Sequence, residues 1–186
     1  MPPPLRTLAA LLLAACAGCG STAPSRFFAL TALEPGAEPA AGELRVLVDP
    51  VGVAEYLDRP QLVRRTSAVE LEVDDYSRWA EPLDEALTRV LSSDLRQLLA
   101  CDRAGPEAAV VRVACHVSRF EADEQGRAVL EARWTITPIA PAGSERSSSW
   151  LGRTDLRHPD DPAELAAALD ALVHDLARAL ATELTR

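Results

Sequence analysis

Residues 109–137, AVVRVACHVSRFEADEQGRAVLEARWTIT, are the stretch that decides the fold. Apolar side chains occupy every second position from 109 to 117, and the same alternation returns across 128–137. A period of two is typical of strands that bury one face. Residues 123–126, Asp-Glu-Gln-Gly, are the residue types that turns favour. The stretch therefore predicts two long antiparallel strands joined by a tight turn.

Shorter segments outside this hairpin predict the remaining strands of the sheet. They are rich in β-branched or aromatic residues, are bounded by Gly, Pro or polar residues, and lie at 26–30, 44–48, 61–65, 69–73 and 149–156. Residues 66–68, Thr-Ser-Ala, are short enough to join two neighbouring strands as a second hairpin. Two hairpins in one sheet favour a mainly antiparallel sheet.

Two segments have the periodicity of amphipathic helices. The first starts at Pro82, which fits the first helical position, and it carries apolar residues at spacings of three and four as far as Leu99. The second starts with Asp161 as a cap and Pro162 at the first position, and Glu164 completes a capping-box pattern. Because each helix is apolar on one side, both are expected to pack on one face of the sheet. The predicted fold class is α+β, a two-layer sandwich.

The beginning of the chain has the pattern of an export signal. The apolar run over residues 8–15 is much shorter than the roughly 20 residues that a membrane-spanning helix needs. It ends Leu-Ala-Ala before Cys16, which resembles the lipobox of bacterial lipoproteins. We therefore predict a signal peptide at 1–15 and lipidation of Cys16. The alternatives are Cys19, which has a cysteine where the lipobox has leucine, and an ordinary cleaved signal without lipid.

The sequence after Cys16 divides into a tether and one domain. Residues 16–25 are small and polar and predict a flexible, lipidated tether, and 26–186 have the length of a single domain. Residue 17 is Ala, whereas Asp at that place retains many lipoproteins in the inner membrane. The resemblance to lipoproteins therefore implies attachment to the outer membrane, with the domain facing the periplasm.

Composition argues against some classes of partner. The formal net charge is −9, and every basic side chain is an arginine. An acidic chain is poorly suited to bind nucleic acid or anionic lipid headgroups.

No catalytic or metal-binding constellation is recognisable, so we expect neither an enzyme nor a bound metal or cofactor. The three histidines, His116, His158 and His174, have no metal-ligand spacing. Cys101 and Cys115 form either a disulfide, which an exported protein permits, or two free thiols.

Two short motifs carry most of the functional information. Residues 56–65 read YLDRPQLVRR, and residues 78–83, directly before the first helix, read RWAEPL. Together they resemble the paraquat-inducible protein C family, also called the ABC-type transport auxiliary lipoprotein family. The RFFAL strand at 26–30 and the central hairpin fit the same family in order, whereas Cys101 and Cys115 do not belong to its pattern.

The resemblance implies a function that the composition alone does not. It implies an outer-membrane-anchored periplasmic lipoprotein that is the auxiliary subunit of an intermembrane lipid transport system, with an MCE-domain protein of the inner membrane as partner. It also implies a homo-oligomeric ring. The alternative is an outer-membrane assembly or scaffold lipoprotein with no role in lipid transport.

The motifs also supply the candidate interface residues, namely Asp58, Arg59, Gln61, Arg65 and Trp79. The polar ones lie on a predicted loop and strand edge, where arginine is favoured in subunit contacts. The alternatives are salt bridges within the chain for the polar side chains, and a role in folding for Trp79, which can pack across the first turn of the helix.

Overall fold

The computed structural model describes residues 24–34 and 42–186. Eight strands form one sheet, and two long helices cover it. The strands are β1 Arg26–Phe28, β2 Leu44–Val48, β3 Gly52–Val53, β4 Gln61–Arg65, β5 Leu71–Trp79, β6 Ala109–Ala122, β7 Arg127–Ala140 and β8 Arg146–Asp155. The helices are α1 Leu83–Leu98 and α2 Pro162–Leu184, and two single 3₁₀ turns lie at Glu55–Leu57 and Cys101–Arg103.

The β6–β7 hairpin is the centre of the sheet. β8 pairs with β7 on one side, and β2, β3 and β4 follow one another along the free side of β6. β5 lies outside β4, and β1 lies outside the end of β5, so that the order along the main path is β1-β5-β4-β6-β7-β8. One hairpin thus supports β2, β3 and β4 along a single edge.

The prediction of a mainly antiparallel sheet is wrong, because the sheet is mixed. β2, β3 and β4 all run parallel to β6, and β1 runs parallel to β5. Only the β4–β5, β6–β7 and β7–β8 pairs are antiparallel. Two neighbouring parallel strands need a long crossover connection between them. Here α1 and the segment after it return the chain to the end of the sheet where β2 begins. Alternation shows which face of a strand is buried but not the direction of its neighbour.

The core lies between the helices and one face of the sheet. α1 and α2 contact each other; α1 also contacts β2 and β3, and α2 contacts β6, β7 and β8. The alternating apolar residues of the hairpin face these helices and are almost fully buried, among them Val113, Val117, Ala132, Trp134 and Ile136. The predicted alternation of the hairpin therefore identifies the core face correctly.

A β-bulge changes this alternation near the end of β6. The register against β7 shifts between Val117 and Arg119, so that Phe120 pairs with Leu130 on the helix-covered face. Glu121 then lies on the opposite face of the sheet, paired with Val129. The extra residue of a bulge re-aims the side chains that follow it. The predicted alternation from 109 is therefore correct only as far as Val117.

The start of α2 differs in one detail from its prediction. The Asp161 side chain accepts a hydrogen bond from the Ala163 N–H at 3.0 Å, as a capping residue does. The Glu164 carboxylate does not complete a capping box. It accepts the backbone N–H groups of Arg157 and His158 at 2.7 and 3.0 Å instead. Glu164 therefore fixes the loop between β8 and α2.

Cys101 and Cys115 are free thiols in the structure, and they differ in accessibility. Cys115 is buried under the helices, and this burial raises the pKa of its thiol to about 11. At pH 8 the reactive thiolate is then about a thousandth of the total. We expect iodoacetamide to label Cys115 more than about 100-fold more slowly than an unhindered cysteine, as followed by peptide mass spectrometry. In urea the difference should vanish, and fast labelling of the native protein would contradict the burial.

Candidate partner-binding surface and the cluster at Glu121

The first motif begins directly after β3 and ends with β4. Its 3₁₀ turn, Glu55–Leu57, places Leu57 in the core. The next two side chains, Asp58 and Arg59, are exposed, and no hydrogen bond or ion pair holds either of them within the described part of the chain. Gln61 follows at the start of β4 and is half-buried opposite Arg78 of β5. The motif therefore presents a short, charged projection beside the sheet.

Two other residues of this motif converge on one buried carboxylate. The side chain of Glu121 is 0 % exposed. The Tyr56 hydroxyl donates to its Oε2 atom at 2.8 Å, and Arg65 Nε donates to its Oε1 atom at 2.7 Å. Arg119 Nε donates to the same Oε1 atom at 3.0 Å, and Arg119 Nη2 forms an ion pair with that atom at 2.9 Å. We call Tyr56, Arg65, Arg119 and Glu121 the Glu121 cluster.

The electrostatics of the cluster keep its charges in place. Burial, together with the hydrogen bond to Glu121, raises the pKa of Tyr56, so the phenol stays protonated and acts as a donor. The hydrogen bond to Glu121 raises the pKa of Arg65 above its already high value. Arg65 was a candidate interface residue, but its charge is engaged inside the chain while its side chain remains 21 % exposed. A buried ion pair of this kind fixes a geometry.

The second motif is joined to the first through β5. Trp79 is buried, and its ring stacks at a tilt on Phe120 with 5.5 Å between the ring centroids. The backbone N–H of Trp79 donates to the carbonyl of Pro60 at 2.6 Å, and this hydrogen bond connects the end of β5 to the loop after Asp58. Leu83 at the start of α1 is also buried. The two motifs are therefore one assembled substructure, in which Trp79 packs internally and Asp58 and Arg59 face solvent.

A second buried carboxylate joins the two helices to the segment after β1. Asp94 of α1 is 0 % exposed and accepts the N–H of Leu33 at 2.8 Å and a hydrogen bond from His174 Nδ1 at 2.7 Å. Asp170 of α2 accepts both the N–H and the hydroxyl of Thr31, at 2.8 and 2.7 Å. We call residues 30–33 the strap, because these contacts hold them across both helices.

Sequence reasoning missed both buried carboxylates. Asp94 lies one turn after Val90 and Leu91, on the apolar side of α1, and that position was the available signal. Glu121 gave no such signal, because the bulge before it reverses the expected faces.

The predicted features at the beginning of the chain cannot be located in the structure. Cys16, the predicted signal peptide and most of the tether lie outside the described residues. Within 24–34 and 42–186, no group of three or more His, Cys, Asp or Glu side chains could hold a metal ion. No helix in that part of the chain is long and apolar enough to cross a membrane.

Comparison with known proteins gives a family and a fold. The model of a family described as the ABC-type transport auxiliary lipoprotein component matches residues 28–181. One crystal structure of an uncharacterised protein is similar at a TM-score of 0.69 and 19% identity, over 87% of this chain and 99% of that one. A Xanthomonas campestris protein assigned to the DUF330 family is similar at a TM-score of 0.61 and 23% identity, over 83% and 92%. No curated protein matches the chain.

Proposed function

Because the chain belongs to the family of ABC-type transport auxiliary lipoprotein components, we propose that it is the outer-membrane-anchored periplasmic subunit of an MCE-type system that moves lipids between the two membranes. The observation that carries the proposal is the match over residues 28–181, which includes both motifs and the Glu121 cluster. In this proposal the protein has no catalytic role. It connects an ABC-type transport system to the outer membrane, in which the lipid anchor of this protein is inserted.

The anchor is proposed to be Cys16, whose lipobox precedes the domain. Arg26, the first residue of β1, lies ten positions after Cys16 along the chain. A fully extended chain of that length reaches at most about 35 Å. The domain would therefore stay close to the outer membrane, and a partner anchored in the inner membrane would have to extend towards it.

The proposed partner surface is the projection formed by Asp58 and Arg59. The contacts of Tyr56, Arg65, Trp79 and Leu83 explain their places in the motifs, because each holds the fold together. Asp58 and Arg59 have no such internal role among the described residues. A guanidinium and a carboxylate that face solvent on a rigid support suit specific recognition of a protein partner.

Self-association into a ring is proposed to use the edges of the sheet. β8 presents its whole outer edge, from Arg146 to Asp155, with no neighbouring strand in the described residues, and β5 is covered by β1 only from Ser77 onward. Such edges are templates for pairing with another chain. Two different edges that meet head to tail form a heterologous contact, which closes into a ring when the rotation permits.

Cross-linking in cells tests the partner. We expect affinity purification of the tagged lipoprotein from cross-linked, detergent-solubilised membranes to recover an MCE-domain protein by mass spectrometry. Arg59→Glu reverses the charge of the proposed surface and should reduce this recovery at least about tenfold, since like charges at an interface are strongly unfavourable. The thermal stability should not change, because no hydrogen bond or ion pair holds the Arg59 side chain within the described residues.

Arg133→Glu is the matched control, because Arg133 of β7 is also exposed and no hydrogen bond or ion pair holds its side chain in the described chain. It should leave the recovery unchanged. Equal recovery with both variants would exclude Arg59 from the interface. Recovery of outer-membrane assembly proteins without any MCE-domain protein would contradict the transport proposal and favour a scaffold role.

A further inference from the structure

Four arginines line one cleft beside the turn between β6 and β7. They are Arg65 of β4, Arg119 of β6, Arg127 at the start of β7 and Arg153 of β8. The cleft has a volume of about 450 Å³. The same cleft is lined by Ala68 and by residues of the turn, Asp123, Glu124 and Gln125. It lies on the face of the sheet that the helices do not cover, next to the Glu121 cluster.

Buried carboxylates hold three of these guanidinium groups in fixed positions. Glu121 binds Arg65 and Arg119, as described above. Asp123 accepts Arg127 Nε at 2.9 Å and Nη2 at 2.7 Å. Burial by itself raises the pKa of Asp123, but the hydrogen bonds from Arg127 outweigh it and the pKa ends lower than usual. The Asp123 carboxylate is therefore ionised. The arginines that Glu121 and Asp123 hold keep further N–H groups free to bind a ligand.

The fourth arginine is not engaged within the protein. Arg153 of β8 pairs in register with Val129 of β7, and Val129 pairs with Glu121 of β6. These three residues form one row across the sheet and share a face. Arg153 is exposed, and no hydrogen bond or ion pair holds its side chain within residues 24–34 and 42–186. It is thus a free cation beside three fixed ones.

The cleft is a local exception to the acidic character of the chain. The formal net charge of the whole chain is −9, which argues against general attraction of anions. In and around the cleft, however, the four arginines are balanced by Glu121, Asp123 and the exposed Glu124, and Asp155 acts electrostatically on Arg127, so the local charge is close to neutral and not strongly acidic. Fixed guanidinium groups lose little conformational freedom when they bind, and their planar forks match phosphate oxygens.

We propose that this cleft binds a phosphate group, either in the headgroup of a phospholipid or as free phosphate. If the ligand is a headgroup, this subunit contacts lipid directly, and this part of the proposal rests on the proposed transport function. Binding of phosphate by the cleft does not depend on the MCE-domain partner. Failure of the cleft to bind phosphate would leave recovery of an MCE-domain protein unaffected, so the two proposals fail separately.

Calorimetric titration of the full lipidated protein in a non-ionic detergent tests the proposal. The probes are inorganic phosphate and glycerophosphoglycerol, the deacylated headgroup of phosphatidylglycerol, which does not enter micelles. We expect saturable binding that Arg153→Ala weakens at least about tenfold, since this variant removes charged hydrogen bonds to the ligand. Tighter binding of glycerophosphoglycerol identifies a lipid headgroup as the ligand, and tighter binding of inorganic phosphate identifies free phosphate.

Arg146→Ala is the matched control, because Arg146 lies at the other end of the same strand, is exposed and does not line the cleft. It should bind both probes as the unmodified protein does. Neither variant removes an internal contact, so both should fold, which circular dichroism checks. No saturable binding of either probe, or equal binding by both variants, would overturn the proposal.

Discussion

Replacement of Glu121 by alanine should lower the free energy of unfolding by about 3 kcal/mol. The carboxylate is 0 % exposed and binds Arg65, Arg119 and Tyr56. Without it, two guanidinium groups remain close together and lose their shared counter-charge, and the tyrosine hydroxyl keeps only the Ser118 carbonyl, at 3.1 Å, as an acceptor among the described residues. Removal of one partner of a buried ion pair is much more costly than loss of an exposed pair. Arg65 and Arg119 are 21 % and 25 % exposed, so partial access to water limits the cost.

Thermal unfolding measures this effect directly. For a protein of this size, 1 kcal/mol corresponds to about 2–4 °C, so Tm should fall by about 6–12 °C. Glu124→Ala is the matched control, since Glu124 is an exposed glutamate in the adjacent turn, and its Tm should change by less than about 2 °C. Glu121→Gln should fall between the two, because it keeps an acceptor for Arg65 but loses the charge. A Glu121→Ala variant as stable as the control would show that the cluster does not stabilise the fold.

Both helices and all described strands except β3 could be predicted from the sequence, because each is decided by a local pattern, although β5 extends to Trp79 and its predicted end was residue 73. Alternation identified both strands of the central hairpin, and spacings of three and four identified α1 and α2. The directions of β2, β3 and β4 could not be predicted, since they depend on how α1 returns the chain to β6. Side-chain periodicity contains no information about that path.

The contacts of the candidate site could not be predicted from the sequence. The motif at 56–65 drew attention to Tyr56 and Arg65, but their partner lies far along the chain at Glu121. A one-residue bulge between Val117 and Arg119 is what turns Glu121 towards them. Such a bulge is set by contacts across the sheet and has no strong local signal. Interactions between distant segments of the chain could therefore not be predicted from the sequence.

Replacement of Asp94 by alanine should release the strap. Asp94 is 0 % exposed and accepts hydrogen bonds from the Leu33 N–H and from His174. Alanine leaves both donors without this acceptor, and the buried position offers no water to replace it. His174 then has only Asp170 nearby, with 3.9 Å between its Nε2 atom and Asp170 Oδ2. We expect a loss of about 3 kcal/mol of global stability, together with local opening of residues 30–33.

Hydrogen exchange measured by mass spectrometry separates these two effects. Peptides that contain the strap should exchange at least about 100-fold faster in Asp94→Ala than in the unmodified protein, whereas β7, in the centre of the sheet, should change only as far as global stability falls. Asp94→Asn keeps an acceptor for Leu33 and should restore most of the protection. Asp175→Ala is the control, because Asp175 is an exposed aspartate of α2 that binds only Arg178 among the described residues. Unchanged exchange of the strap in Asp94→Ala would mean that its other contacts hold it, namely Thr31 with Asp170 and the Leu30 carbonyl with Arg89 at 2.9 Å. Because β1 lies between the proposed tether and the strap and is itself paired with β5, release of the strap should leave both the attachment of the tether and the partner surface at Asp58 unaltered.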